Sequence, residues 1–195
     1  LEIINSAGSI ENIKLLDQGK VFAAFIQSGT SETTATGKLQ SLGSVFFEPI
    51  WVFHRTGLKL TRLNQLHGKR IVVGAEGSGT KPLAQQLLKD NSIDATNAKL
   101  ISMDSQVSAE QLLQGEVDAI FLVASPRSPT IAKLLSSNKV KLMEFERAAA
   151  YTSLYKYLSK VTLPQGVIDM QHNIPPKDIS LLAASANLVG HTDLH

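Results

Sequence analysis

The stretch Gly74-Ala75-Glu76-Gly77-Ser78-Gly79-Thr80-Lys81 has residue types and spacing suited to holding a ligand. It follows the apolar run Ile71-Val72-Val73, which reads as a buried strand, and leads into a helical pattern from Thr80 to about Lys89. At a helix start the first backbone N–H groups lack partners and the macrodipole favours negative charge, so this loop is placed to bind an anion. Gly77 and Gly79 let the backbone approach a ligand closely. Ser78 and Thr80 add hydroxyls that either touch the ligand or cap the helix. Gly74 and Gly79 have the separation of the two glycines of a phosphate-binding P-loop, but there lysine precedes the hydroxyl residue, whereas here Thr80 precedes Lys81. Nucleotide hydrolysis is not expected.

A second loop of this kind is Asn5-Ser6-Ala7-Gly8-Ser9-Ile10-Glu11, again between a strand-like run and a helical pattern. Ser6, Gly8 and Ser9 are its candidates. Two small, hydroxyl-rich helix starts, one in each half of the chain, are what a clamped carboxylate needs. Further candidates lie at strand ends, because ligands of open α/β sheets bind beyond the carboxyl ends of strands. These are Gln27 and Ser28 after one strand and Ser125 after another, joined by the lone acid Glu48. Catalysis finds no support. No histidine among His54, His67, His172, His191 and His195 stands near a serine–acid arrangement, and no G-x-S-x-G elbow is present. His191, Asp193 and His195 have a superficial metal-ligand spacing but read as solvated, so neither metal nor cofactor is expected.

The elements that must position these residues repeat. Glu11 to Phe25 and Glu110 to Phe121 each read as an amphipathic helix, a Gly stop (Gly19, Gly115) and a strand of the form Gly-x-Val-x-Ala. Leu1 to Ile4 and Lys99 to Met103 supply a strand before each helix, so each half holds a β-α-β unit. Val45 to Arg55 is the most β-prone run, made irregular by Pro49, and suits a strand crossing between two lobes. Ile131–Leu135 reads as a short helix and Val140–Met143 as a strand. Ala148–Ser159 reads as a helix carrying Tyr151, Leu154, Tyr155 and Leu158 on one face. Ile179–Val189 is a long strand that returns.

Bulk composition narrows the function. The chain has 195 residues, 43% hydrophobic and 18% charged, with a formal charge of +2, which leaves no basic footprint for nucleic acid. It has no cysteine, so disulfides, thiolate metal sites and cysteine nucleophiles are excluded. No apolar run approaches the roughly 20 residues of a membrane-spanning helix.

The order of motifs resembles the TAXI-type solute-binding proteins of TRAP transporters. The similarity runs through Asn5-Ser6-Ala7-Gly8-Ser9-Ile10-Glu11-Asn12 with Leu15-Leu16, Gly19 and Gln27-Ser28. It continues through Phe47-Glu48-Pro49, Val52, Arg55 and Leu66-His67-Gly68-Lys69-Arg70, and is tightest at Gly74 to Thr80. Phe22 stands where the family carries an acid, which Asp118 keeps in the second copy. The family's first strand is expected before Leu1 and its closing helices after His195.

The resemblance implies an α/β fold of the type II periplasmic-binding-protein kind, two α/β lobes joined by two crossing strands. Lobe 1 is expected over 1–54 and 177–195, lobe 2 over 55–176, with hinges near His54–Gly57 and Pro175–Asp178. The implied protein is no enzyme. It is an extracytoplasmic receptor, periplasmic or membrane-anchored through segments outside this sequence. It closes on a small anionic, carboxylate-bearing solute held by Ser6, Gly8, Ser9, Gln27, Ser28, Glu48, Gly77, Ser78, Gly79, Thr80 and Ser125, and its partners are membrane transporter subunits rather than nucleic acid. The alternatives are a ligand-sensing effector domain on the same fold and a relative with an enzymatic role. A helix-turn-helix before Leu1 marks the first, and the tetrapyrrole-pathway deaminase among the second needs a cysteine that is absent.

Overall fold

The structure of the protein, a computed structural model, describes residues 2–30 and 39–192. Helix α1 (Ser9–Asp17) leads into strand β1 (Ala23–Gln27), and the long strand β2 (Leu39–Arg55) follows. After a 3₁₀ turn at Leu63–Leu66, strands and helices alternate: β3 (Arg70–Val72), α2 (Thr80–Lys89), β4 (Lys99–Ile101), α3 (Ser105–Gln114), β5 (Ala119–Val123), α4 (Pro129–Leu135) and β6 (Val140–Leu142). Helix α5 (Ala148–Leu154), strand β7 (Leu158–Leu163) and the long strand β8 (Ile179–His191) complete the order.

The internal repeat is present in three dimensions. Helix α1 and helix α3 each end at a glycine in the left-handed region, Gly19 at φ 65° and Gly115 at φ 82°, and a strand begins four residues later at Ala23 and at Ala119. Such a φ is sterically cheap only without a Cβ, which is why glycine punctuates both copies. The strand expected before α1 does not form: residues 2–6 are irregular, and Ile3 and Ile4 are 83% and 53% exposed. A strand needs a neighbour for its backbone groups, and no ladder among the described residues reaches this segment. Only the second copy is therefore a complete β-α-β unit.

Strands β4 and β5 flank β3, all parallel, while β2 and β8 run antiparallel to each other from Leu39↔His191 to Ile50↔Leu182. Strand β2 also pairs with β5 and β6, and β8 with β1 and β7. Hydrogen bonding thus joins all eight strands in one sheet rather than two, because β2 and β8 are long enough to belong to both ends. The expected crossing strands are these two.

Burial changes sharply along β2. Residues before Glu48 are mostly exposed, and Pro49 to His54 are buried. Pro49 pairs with Ala183 in unbroken register, and the irregularities lie earlier, between Ser41 and Gly43 and between Ser44 and Phe46. Strand β5 joins β2 only from Ile50 onward, so the missing N–H of Pro49 leaves no ladder bond unmade on that side. The main core gathers Trp51, Phe53, Ile71, Leu87 and Phe121 between the sheet and its helices; a small second core joins Ile13 and Leu16 of α1 to Ile26 of β1. The helix expected over Ala148–Ser159 stops at Leu154, which is 69% exposed, and Leu158 begins β7 against β8. Two β-branched residues in Leu158–Leu163 are no guide on their own; the open edge of β8 supplies the ladder that turns this run into a strand.

Candidate functional site

The two loops singled out by their composition meet. The Ile10 N–H donates to the Gly77 carbonyl at 3.1 Å, and a Cβ built on Gly8 would lie 3.2 Å from the Ser78 Cα. Ser9 and Gln27 are both buried, and the Gln27 N–H donates to Ser9 Oγ at 2.9 Å while Gln27 Nε2 donates to the Gly79 carbonyl at 3.3 Å. Gly79 has an ordinary helical φ of −73°, so its lack of a side chain is a matter of space: a Cβ there would stand 2.8 Å from Ser9 Oγ and 3.0 Å from Gln27 Oε1. Gly8, Ser9, Gln27, Gly77, Ser78 and Gly79 therefore form one cluster.

Helix α2 opens here without a side-chain cap. Ser78 Oγ donates to the Ala75 carbonyl at 2.7 Å and accepts weakly from the Lys81 N–H at 3.4 Å. The backbone N–H groups of Gly79 and Thr80 have no acceptor among the described residues, and Pro82 brings none. Lys81 is paired with Glu76, whose carboxyl is held below its usual range first by that lysine and then by Ser102. The lysine is thus turned to its own loop, as the reversed order of Thr80 and Lys81 implies. Gly74, at φ 104°, leaves room for the Thr80 side chain, which a Cβ would meet at 2.8 Å.

A cleft of about 180 Å³ lies beyond the carboxyl ends of β3 and β5. Its walls include Ala7, Ser78 and Thr80 from the two loops, with Asp104, Ser128 and Thr130 opposite. The last three were not anticipated, although Asp104-Ser105 follows a strand and opens a helix as the two recognised loops do. Asp104 Oδ1 accepts from the Gln106 N–H at 2.8 Å and so caps α3, whereas α2 and the shorter α4 both open at the cleft without a side-chain cap from their first residue. Trp51 Nε1 donates to the Ala124 carbonyl at 2.9 Å and fixes the end of β5 that forms the cleft floor.

The remaining candidates are dispersed. Registers place Gln27 opposite Ala186 and Glu48 opposite Ala184, so Gln27 and Glu48 share a sheet face with two alanines between them. Glu48 is half-buried with no hydrogen-bond or ion-pair partner among the described residues, and burial raises its pKa. Ser28 continues the ladder onto the opposite face, where its Oγ lies 2.6 Å from Ser185 Oγ and accepts from Asn187 Nδ2 at 2.7 Å. Ser6 Oγ donates to Asn12 Oδ1 at 2.6 Å and shapes the first loop from outside. Ser125 is exposed and holds the Arg127 N–H at 3.2 Å within its own turn. His191 Nε2 donates to the Leu16 carbonyl, a structural contact, whereas Asp193 and His195 lie outside the described residues.

This architecture, a mixed α/β sheet with two long shared strands and a cleft at strand ends, is that of periplasmic binding proteins. The sulphonate-binding protein SsuA of Escherichia coli superposes with a TM-score of 0.54 at 13% identity, over 92% of this chain and 53% of its own. The sulfonate-binding SsuA of Methylobacillus flagellatus gives 0.56 at 13%, over 93% of this chain and 45% of its own. The amino acid transporter substrate-binding protein AbpA of Streptococcus pneumoniae, bound to L-arginine, gives 0.56 at 13%, over 95% and 61%. The chain thus spans about half the length of the two SsuA structures. The NMT1-like family matches residues 1–195, and the chain belongs to that family.

Proposed function

We propose that the protein is a solute receptor of the extracytoplasmic space that binds a small anionic, carboxylate-bearing ligand between two lobes and delivers it to membrane transporter subunits of the TRAP type, with no chemical step. The observation that carries this reading is the uncapped start of α2, where the Gly79 and Thr80 N–H groups have no acceptor among the described residues, Thr80 lines the cleft, and Gly8, Ser9 and Gln27 press on the loop from across the chain. Donors with no internal acceptor at the positive end of a helix are suited to a carboxylate. The cleft volume of about 180 Å³ suits a solute smaller than those filling the roughly 300–1,000 Å³ pockets of drug-sized ligands.

The lobes are assigned to 1–54 with 177–195 and to 55–176, with β2 and β8 crossing between them and hinges near His54–Gly57 and Pro175–Asp178. Thr80 lines the same cleft, and Gln27 supports the loop by holding the Gly79 carbonyl, with Glu48 on the same sheet face. The likeness to periplasmic binding proteins and the β4-α3-β5 unit support this division.

Titration calorimetry with a panel of small carboxylates tests the reading. At least one should bind, and Gly79→Val, verified as folded by circular dichroism, should weaken it by about 10-fold to 150-fold, the loss of one hydrogen bond to a charged group. A folded Gly79→Val protein that binds the same carboxylate with unchanged affinity would remove the loop from the site.

A further inference from the structure

A second concavity lies apart from the cleft and shares none of its lining residues. It measures about 340 Å³ and is lined by His54, Lys59, Lys141, Glu144, Glu146 and Lys177 over an apolar base that includes Leu60 and Ile179. His54 is the unusual member, because it is only 3% exposed. It occupies β2 directly opposite Lys141 of β6, so both side chains stand on one face. Its Nδ1 lies 3.0 Å from the Arg55 carbonyl, and since a carbonyl can only accept, Nδ1 carries the proton. Nε2 of a neutral imidazole is then an acceptor, and it has no partner among the described residues. Burial and the nearby Lys141 charge lower the His54 pKa and keep the ring neutral. A buried acceptor without a donor is costly, so the position calls for one.

The charges around it are unequal in availability. Lys177 is paired with Glu144, whose other oxygen lies 3.4 Å from the Ser180 N–H. Glu146 stands near Lys177 and adds to its field. Lys59 and Lys141 form no ion pair among the described residues. The groove therefore offers two uncommitted cations beside one buried acceptor. An anion alone satisfies the lysines and leaves Nε2 bare; a neutral donor does the reverse.

We propose that this groove is a second binding site, for a small oxyanion that retains a proton, with hydrogen phosphate as its simplest form. The anion's O–H donates to His54 Nε2 while its charged oxygens face Lys59 and Lys141. Sulfate has nearly the same size and shape and carries no proton at neutral pH, so it isolates the role of the donor.

The test is titration of the protein with inorganic phosphate and with sulfate at neutral pH and matched ionic strength, read by calorimetry and by the ring signals of isotopically labelled histidine. Phosphate should shift the His54 signals and bind about tenfold more tightly than sulfate, the effect of one hydrogen bond made or left unmade. The exposed variant Lys141→Ala should weaken phosphate about fivefold or more by removing one charge contact, and should leave carboxylate binding in the cleft unchanged. Equal affinity for the two anions, or no phosphate binding at millimolar concentration, would overturn the proposal. So would phosphate binding that survives Lys141→Ala and disappears in Gly79→Val, which would place the anion at the start of α2 instead.

Discussion

Gly79 is the point at which the loops can be tested as a mechanical unit. The smallest perturbation is Gly79→Ala. Its backbone φ of −73° accepts alanine without strain, so the whole effect comes from the added methyl group. That methyl would sit 2.8 Å from Ser9 Oγ and 3.0 Å from Gln27 Oε1, both on buried side chains. Ser9 is the shorter of the two and can yield only by turning its hydroxyl away, which strips the Gln27 N–H of its 2.9 Å acceptor. A buried donor left unsatisfied costs about 1–3 kcal/mol, or roughly 2–12 °C in Tm for a chain of this size. Thermal unfolding followed by circular dichroism measures it. Ser9→Ala removes the same acceptor, so the double variant should be destabilised by clearly less than the sum of the single ones. A Gly79→Ala protein as stable as the parent, or full additivity in the double variant, would refute this account of how the loops are held together.

Two pH-linked outcomes follow from buried or paired carboxylates. Glu48 has a pKa raised by burial, so its contribution is complete below 4.5 and is lost as pH rises through the folded value; Glu48→Gln should therefore be the more stable protein at neutral pH in urea titrations and should match the parent in acid. Asp118 is bound by Arg70 through Nε at 3.0 Å, which holds its carboxyl down to about 2, so its contribution is present above 3.8 and lost as pH falls towards about 2. Asp118→Asn should cost about 1–2 kcal/mol at neutral pH, allowing for solvent at the half-exposed guanidinium, and should flatten the acid limb of the stability curve.

What could be read from the chain depended on whether the deciding interaction was local. Gly19, Gly115 and the strand-to-helix loops announce themselves because the left-handed φ and the unpaired helix start are properties of a few adjacent residues. The alternation of strands and helices from β3 to β6 was legible for the same reason. The start of strand β7 was not, since Tyr151, Leu154, Tyr155 and Leu158 carry a helical apolar spacing, and Leu158 turns to strand only against the edge of β8. The reverse error fell on Ile3 and Ile4, apolar and β-prone but with no ladder among the described residues to join. The candidate site divided along a similar line. Gly8, Ser9, Gln27 and Gly79 come together as their loop positions suggest, whereas Ser28 is carried to the far face by the strict alternation of a strand, a consequence of register that no local motif encodes. Asp104 and Thr130 line the cleft through helix starts whose polar residues look like ordinary caps.

The pairing of β2 with β8 along most of their length also sets how stability is distributed. Among the described residues the smaller core buries Ile13, Leu16 and Ile26, far fewer apolar side chains than the large one. Its strand β1 is hydrogen-bonded to β8, and β8 is anchored at its other end by Leu181, Leu182 and Ala184 in the large core. The order of α1 and β1 is therefore borrowed from the far end of the molecule through a ribbon of two strands. Loosening the large core removes the template on which the small one forms, whereas the small one can fray while the large core stays intact. The loop of residues 5–9 belongs to the borrowing end and the loop of residues 74–80 to the lending end, so the contact between them joins the least and the most durable parts of the fold.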